Sequence, residues 1–431
     1  MRNVLVVVYY FPPMGLSGVQ RVAKFVKYLP EYGWNPVVLT VQPGGYFAYD
    51  YALLREVEQA GIEIHRTYSW DPTRLFGRER TVPLPSESSR AWFTHLSQLL
   101  FVPDNKLGWL IPALRKGDAL LKENRFDLIF SSAPPYTGHL IAQRLSVRSG
   151  LPLITDFRDD WVGNPRHVYP TRLHRRLHEI LEQRVLAAST FTTTINAHLA
   201  ASLESRQSSD RRKPVIVIPQ GYDPQDFERT PAPRSTGKMR IVHSGIFYDK
   251  QTPDVFLRGL ATFLEQRSDA RTTIEATFVG LFPEQSRRTI KRLGLEEAIN
   301  LVGYVSHQEV PSYLLAADML WMTIGKRPGA EGISTGKLFE YMGARKPILA
   351  LVPAGAASEV LAAYPAARIV PPDDMEAVAQ AIATFYDLWL SGTMPEVSEQ
   401  HVRRYDRRAL AGELALLFDA AVKRPVAVVT S

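Results

Sequence analysis

Apolar, β-branched runs followed by a Gly/Pro/Ser loop and an amphipathic helix recur along the whole chain, in two series. Val4–Tyr10 opens the first series and has the all-apolar character of a strand buried on both faces of a parallel sheet. The loop after it starts a helix on which Val19, Val22, Phe25, Val26 and Leu29 share a face, and Pro36–Thr40 returns as a second strand. Ile62–Arg66, Asp127–Ser131, Pro152–Asp156, Thr190–Thr194 and Val215–Pro219 continue the alternation. A stretch rich in Pro, Ser and charge then interrupts it through Lys238. It restarts at Met239–Ser244 and runs through Ile274–Gly280, Asn300–Val305, Met319–Ile324 and Pro347–Leu351. Strands separated by helices must pair in parallel, so an α/β fold with two doubly wound, Rossmann-like sheets is predicted. The expected division is 1–222, a linker at 223–238, a second domain at 239–404 and a terminal amphipathic helix within 405–431.

Composition narrows the chemistry. A chain of 431 residues has room for more than one core. It has no Cys, which removes disulfides and thiolate metal sites and suits a reducing, cytoplasmic setting. Its ten His include no H-E-x-x-H spacing, so no metal ligands are assigned. The apolar N-terminal run is broken by Pro12-Pro13 and reads as a core strand rather than a leader. No uninterrupted apolar stretch reaches the ~18 residues of a membrane span. The net charge of +7 suits anionic nucleotides or lipid headgroups without choosing between them, and no nucleic-acid partner is expected.

The segment Gly329–Pro347 holds the most chemistry. Ser334 or Thr335 can cap a short helix that starts near Thr335, and Gly343 and Pro347 suit its end. Lys337 falls in the first turn, where free N–H groups and the helix dipole attract an anion. Glu340 lies one turn on, along the same side. Such a helix start can take phosphates while a carboxylate takes a ribose diol. A surface helix with one Lys–Glu pair is the alternative. Gly332–Lys337 is not an NTPase phosphate loop, because one residue is missing between the glycines and Leu338 replaces the magnesium-binding hydroxyl.

The run T-G-K-L-F-E-Y-M-G-A-R-K-P-I-L closely resembles the nucleotide-sugar motif of GT-B glycosyltransferases of retaining family 4, commonly S-K-x-x-E-Y/A-M-A-x-G-x-P. The resemblance implies two Rossmann-like halves with the active site in the cleft between them, and a C-terminal helix crossing back to the first. It assigns Glu340 to the ribose and Lys337 to the diphosphate. An earlier family Glu stands eight residues before the ribose Glu, and Glu331 is the nearest counterpart here, nine before. Gly245 and Lys250 fall on the family's diphosphate loop, with Ile246 at its Arg position. I-P-Q-G-Y-D resembles the I-P-N-G-V-D that closes the first half. The implied reaction transfers a sugar with retention to a hydroxyl acceptor, a glycan or a lipid-linked glycan. It uses a nucleotide-diphosphate sugar as co-substrate and neither metal nor cofactor. A GT-B epimerase and a non-catalytic nucleotide-sugar-binding subunit are the alternatives.

In the first half, Gly15 and Gly18 are too few for a dinucleotide fingerprint and fit either a tight turn or close approach of a ligand. S-S-A-P-P-Y-T-G-H (131–139) and T-D-F-R-D-D-W (155–161) resemble the S-x-P-P and D-F-R-D-x-W loops of family 4 enzymes for surface polysaccharides. Asp156, Arg158 and Asp159 are therefore the candidate catalytic residues, with a buried ion-pair network as the alternative. Asp159-Asp160 could also suggest the metal-binding acidic pair of GT-A transferases, but two βα halves argue against that fold. An amphipathic helix with Trp92, Phe93, Leu96, Leu99 and Leu100, followed by Lys106 and Trp109, suggests membrane contact through 90–110 at the inner face. Core packing explains the same pattern. Arg172–Arg184 reads as a basic, solvated helix face, with phosphate contact as the alternative.

Overall fold

The computed structural model describes residues 1–15, 17–46, 48–75, 96–165, 167–234, 237–247 and 251–423. The chain divides into two units, Met1–Pro219 with Arg407–Ser431, and Gln220–Asp406.

In the first unit β1 (Arg2–Val7) sends alternate side chains to opposite faces of its sheet. Val4, Val6 and Val8 join one core, while Leu5 and Val7 join the other. With β2 (Trp34–Val41), β3 (Glu63–Thr67), β4 (Leu128–Ala133), β5 (Leu153–Phe157), β6 (Phe191–Thr194) and β7 (Val215–Val217) it forms a seven-stranded sheet ordered 3-2-1-4-5-6-7. Every strand pair is parallel. Helix Ser17–Tyr28 buries Val19, Val22, Phe25 and Val26 on one face, as their spacing predicts. Helix Arg407–Lys423 adds Leu410, Leu414 and Phe418 to that core. The Phe418 ring meets Trp34 edge-on at 5.1 Å.

The second unit repeats the plan with β8 (Met239–Ser244), β9 (Ile274–Val279), β10 (Ile299–Gly303), β11 (Met319–Thr323), β12 (Ile348–Leu351) and β13 (Ala367–Val370). Its parallel order is 10-9-8-11-12-13. The order reverses between β8 and β11, and in such sheets the crevice past the strand C-termini at that reversal receives ligands. The segment expected as a linker packs on this unit: Ala232 N–H donates to Ser312 O at 2.9 Å, and Arg234 pairs with Asp318 at 2.7 Å.

One local expectation holds and another is corrected. The short helix ends at Gly343, as its sequence suggests, and that glycine also allows close packing, since a Cβ there would stand 2.6 Å from the Tyr222 ring. The left-handed residue is Arg345, at φ 56. Trp109 and Lys106 are not membrane-facing flanks: Trp109 is fully buried with its indole N–H on Thr67 at 2.8 Å, and Lys106 is buried against Asp71 at 3.4 Å. Trp92 and Phe93 lie outside the described residues.

Candidate functional site

The second unit gathers its polar groups where β8 ends and helix Gly336–Gly343 begins. Ser244 N–H donates to the Tyr341 hydroxyl at 2.8 Å, tying the helix to the strand end. Gly245 follows at φ 116, a conformation that side chains rarely adopt, and a Cβ there would come 2.9 Å from Lys337 Nζ. The loop therefore needs glycine both for its backbone turn and for room beside the ammonium. Lys337 Nζ lies 3.1 Å from His243 Nε2, and His243 Nδ1 lies 3.1 Å from Trp321 O.

A carbonyl can only accept, so Nδ1 carries the proton and Nε2 presents its lone pair to the lysine. Burial, then the Lys337 charge, hold His243 well below the usual imidazole range, so the ring is neutral. Phe247 stacks on that ring at 4.4 Å. Burial also lowers Lys337 to about 8, with Glu340 opposing the shift. Lys337 makes no ion pair among the described residues.

The rest of the predicted donor set lies close by in sequence and differs in role. Thr335 occupies the N-cap position, yet its hydroxyl makes no capping bond and has no partner among the described residues although enclosed. Ser334 is buried. Glu340 is partly buried, with Oε1 3.2 Å from His307 Nε2. The Glu331 side chain is exposed, and its backbone packs so tightly that a Cβ on Gly355 would lie 2.3 Å from Glu331 O. Lys250 lies outside the described residues. His243 and His307 were not singled out from the sequence. A histidine next to the last residue of a predicted strand was the available signal for His243.

In the first unit the D-F-R-D-D-W loop is locked from below. Asp156 is fully buried and accepts from Arg21 at 2.9 and 3.1 Å, from Ser132 at 2.7 Å and from Thr193 at 2.9 Å. Despite its burial, Arg21 and these hydroxyls hold its carboxyl below the usual range. Asp156 therefore matches the ion-pair alternative, with Arg21 rather than Arg158 as its partner. Arg158 is buried and donates to the carbonyls of Gly18, Ala133 and Pro134. Gly18 makes room for it, since a Cβ there would lie 3.0 Å from its guanidinium. Gly15 packs on the backbone of Tyr49 and Asp50. Trp161 is fully buried, stacked on Tyr136 at 4.5 Å, and Asp160 bonds Ser202 at 2.6 Å and pairs with Arg206. Asp159 alone of the loop's charged residues is exposed.

His139, on the helix after the S-x-P-P loop, bonds Ser131 at 2.8 Å through Nδ1, and its buried Nε2 has no partner among the described residues. Burial pushes it down to about 3. Among the described residues no group of His, Asp and Glu could hold a metal ion, and no helix is long and apolar enough to cross a membrane.

Residues 17–226 match the family described as Glycosyltransferase Family 4, and residues 238–387 match the one described as Glycosyl transferases group 1. The chain belongs to the group 1 glycosyltransferases. Among solved structures, this glycosyltransferase is similar to Anabaena HepE in complex with UDP and glucose. That match has 17% identity, covers 97% of this chain and all of the other, and has a TM-score of 0.63. It is also similar to sucrose-phosphate synthase from Thermosynechococcus elongatus (13% identity, 97% of this chain, 99% of that one, TM-score 0.61). Both share the GT-B fold. A curated relative, D-inositol 3-phosphate glycosyltransferase of Streptomyces coelicolor, is 23% identical over 270 residues, which span 56% of this chain and 58% of the relative.

Proposed function

We propose that this group 1 glycosyltransferase moves a sugar from a nucleoside-diphosphate sugar to a hydroxyl acceptor with retention of configuration. The observation that carries the proposal is Lys337: a cation at a helix start whose one polar contact among the described residues is a neutral imidazole, beside a glycine that keeps the backbone open. The diphosphate would lie against Lys337, the helix amides and the Thr335 hydroxyl. Glu340, one turn on, would take the ribose diol and exchange its contact with His307 for it. As the sugar–phosphate bond breaks, charge grows on the diphosphate, and a fixed cation with oriented amides stabilises that charge without a metal ion. In this reading Ser334, Gly245 and Lys250 complete the donor loop, and Glu331 is a further donor contact.

Asp159 is the proposed acceptor-side carboxylate, presented by a loop that Asp156, Arg158 and Trp161 hold rigid. Gly15 and Gly18 shape the loop above β1. The acceptor is a glycan or lipid-linked glycan, met in the cytoplasm or at the inner face of a membrane. UDP, the nucleotide bound by Anabaena HepE, is the first donor nucleotide to test.

The test is turnover of UDP-glucose and other nucleotide sugars with a panel of glycan acceptors in deuterated water, followed by NMR. Expected is a new glycosidic bond with the donor's anomeric configuration. Deuterium entering the sugar without transfer would mark an epimerase. Binding with no turnover on any acceptor would mark a non-catalytic subunit.

A further inference from the structure

The short helix at 96–100 and the start of helix Arg172–Ala188 lie side by side in the first unit. Val168 N–H donates to Gln98 Oε1 at 3.1 Å, and His174 Nε2 lies 3.2 Å from Leu99 O. Since Leu99 O can only accept, His174 carries its proton on Nε2, and Nδ1 accepts the Thr171 hydroxyl at 2.8 Å. The same Thr171 caps the helix, accepting from His174 N–H. Two chain segments far apart in sequence are thus fixed as one surface.

That surface is both apolar and basic. Leu99 is 48% exposed, Leu100 63% and Leu173 66%, with Leu96 and Leu177 also exposed. Arg172, Arg175 and Arg176 stand exposed among them. Glu179 takes bonds from Arg175 at 3.1 Å and Arg176 at 3.3 Å, and one carboxylate against three guanidinia leaves the cluster cationic. Single exposed leucines are ordinary, whereas leucines gathered from two elements and edged by arginine mark an interaction surface.

We propose that this surface docks on an anionic lipid bilayer, the leucines entering the headgroup boundary while the arginines meet lipid phosphates. Charge decides the occupant: guanidinia on an apolar face match a surface that offers both hydrocarbon and many phosphates. The proposal rests on the reading of a lipid-linked acceptor for its biological meaning. It differs from the sequence expectation in its residues, since Lys106 and Trp109 are buried and the helix at Arg172 supplies the charge.

The test is sedimentation of the full chain with vesicles of phosphatidylcholine alone or with phosphatidylglycerol, at low and high salt. No donor or acceptor is present, so the outcome is independent of the transfer assay. Wild type is expected to pellet with the anionic vesicles at low salt and to be released by high salt. The Leu99→Glu/Leu173→Glu and Arg172→Glu/Arg176→Glu pairs are expected to lower the bound fraction at least about tenfold, with melting temperature unchanged. If either pair fails to fold, the Leu99→Gln and Arg172→Gln single variants are compared instead and should each weaken binding. Wild type left in the supernatant, or variants that pellet as wild type does, would overturn the proposal. So would concentration-dependent dimerisation that the leucine variants abolish in the absence of vesicle binding, since the face would then be covered by a second copy.

Discussion

His243 Nε2 accepts from the Lys337 ammonium at 3.1 Å, while its Nδ1–H is spent on Trp321 O. A lysine held by a neutral ring keeps its full charge, and it also has a pKa close enough to neutrality to matter. Lys337 titrates near 8, below the ordinary lysine value, because burial disfavours its charged form. A bound diphosphate would favour the ammonium and raise that pKa. The affinity for a nucleoside diphosphate should therefore be level up to about pH 8 and then fall by up to about tenfold per pH unit. Calorimetric titrations across that range check this. Lys337→Arg, charged throughout, should bind without the alkaline fall, and an equal fall in that variant would assign it to another group.

The ring that positions Lys337 predicts a second effect. His243→Phe keeps the aromatic packing against Phe247 and Trp321 but removes the acceptor. Donor KM should rise while the melting temperature stays within a few degrees. His243→Gln, which can still accept, should recover part of the loss. A large fall in melting temperature with KM unchanged would make the ring purely structural.

At Gly245 the prediction is steric. Alanine would have to hold φ 116 and place its Cβ 2.9 Å from the lysine ammonium. Gly245→Ala should cost about 1–3 kcal/mol of stability through backbone strain. Diphosphate affinity should drop with it, as chemical denaturation and calorimetry on one preparation can show. Wild-type affinity would mean that the ammonium moves without consequence.

The two aspartates of the 155–161 loop should separate cleanly. Asp156→Asn leaves Arg21 buried without its counter-charge and should lower stability by about 3–5 kcal/mol. Asp159→Asn, on an exposed carboxylate, should leave the melting temperature alone and cut turnover by at least about tenfold, ~1.4 kcal/mol of barrier. Turnover that follows only the folded fraction in both variants would remove Asp159 from the chemistry.

The folds of both halves were legible because parallel, doubly buried strands write continuous apolar runs, and β1 and β8 lie where such runs predict. β13 (Ala367–Val370) was missed: Arg368 and Ile369 are exposed, so this edge strand carries no such run. The candidate helix Gly336–Gly343 was legible from local chemistry, since its cap position, Lys337 and Glu340 fall within a few residues of one another. What local chemistry could not show is tertiary. Arg21 meets Asp156 across 135 residues, and Gly343, besides ending its helix, packs closely on Tyr222. Amphipathic spacing likewise cannot say which side of Trp109 and Lys106 faces water. Both turn inward because Thr67 and Asp71, on and just after β3, satisfy their polar ends.

The central claim is that the start of helix Gly336–Gly343 receives the donor nucleotide. Calorimetric titration of UDP into wild type and Glu340→Gln, at neutral pH with excess EDTA, tests it most directly. Wild type should bind without added metal, and the variant should bind about 1.5–3 kcal/mol more weakly at an unchanged melting temperature, the range for a lost charge-assisted hydrogen bond. Equal affinity of the two proteins, or binding by wild type only after magnesium or manganese is restored, would contradict the account.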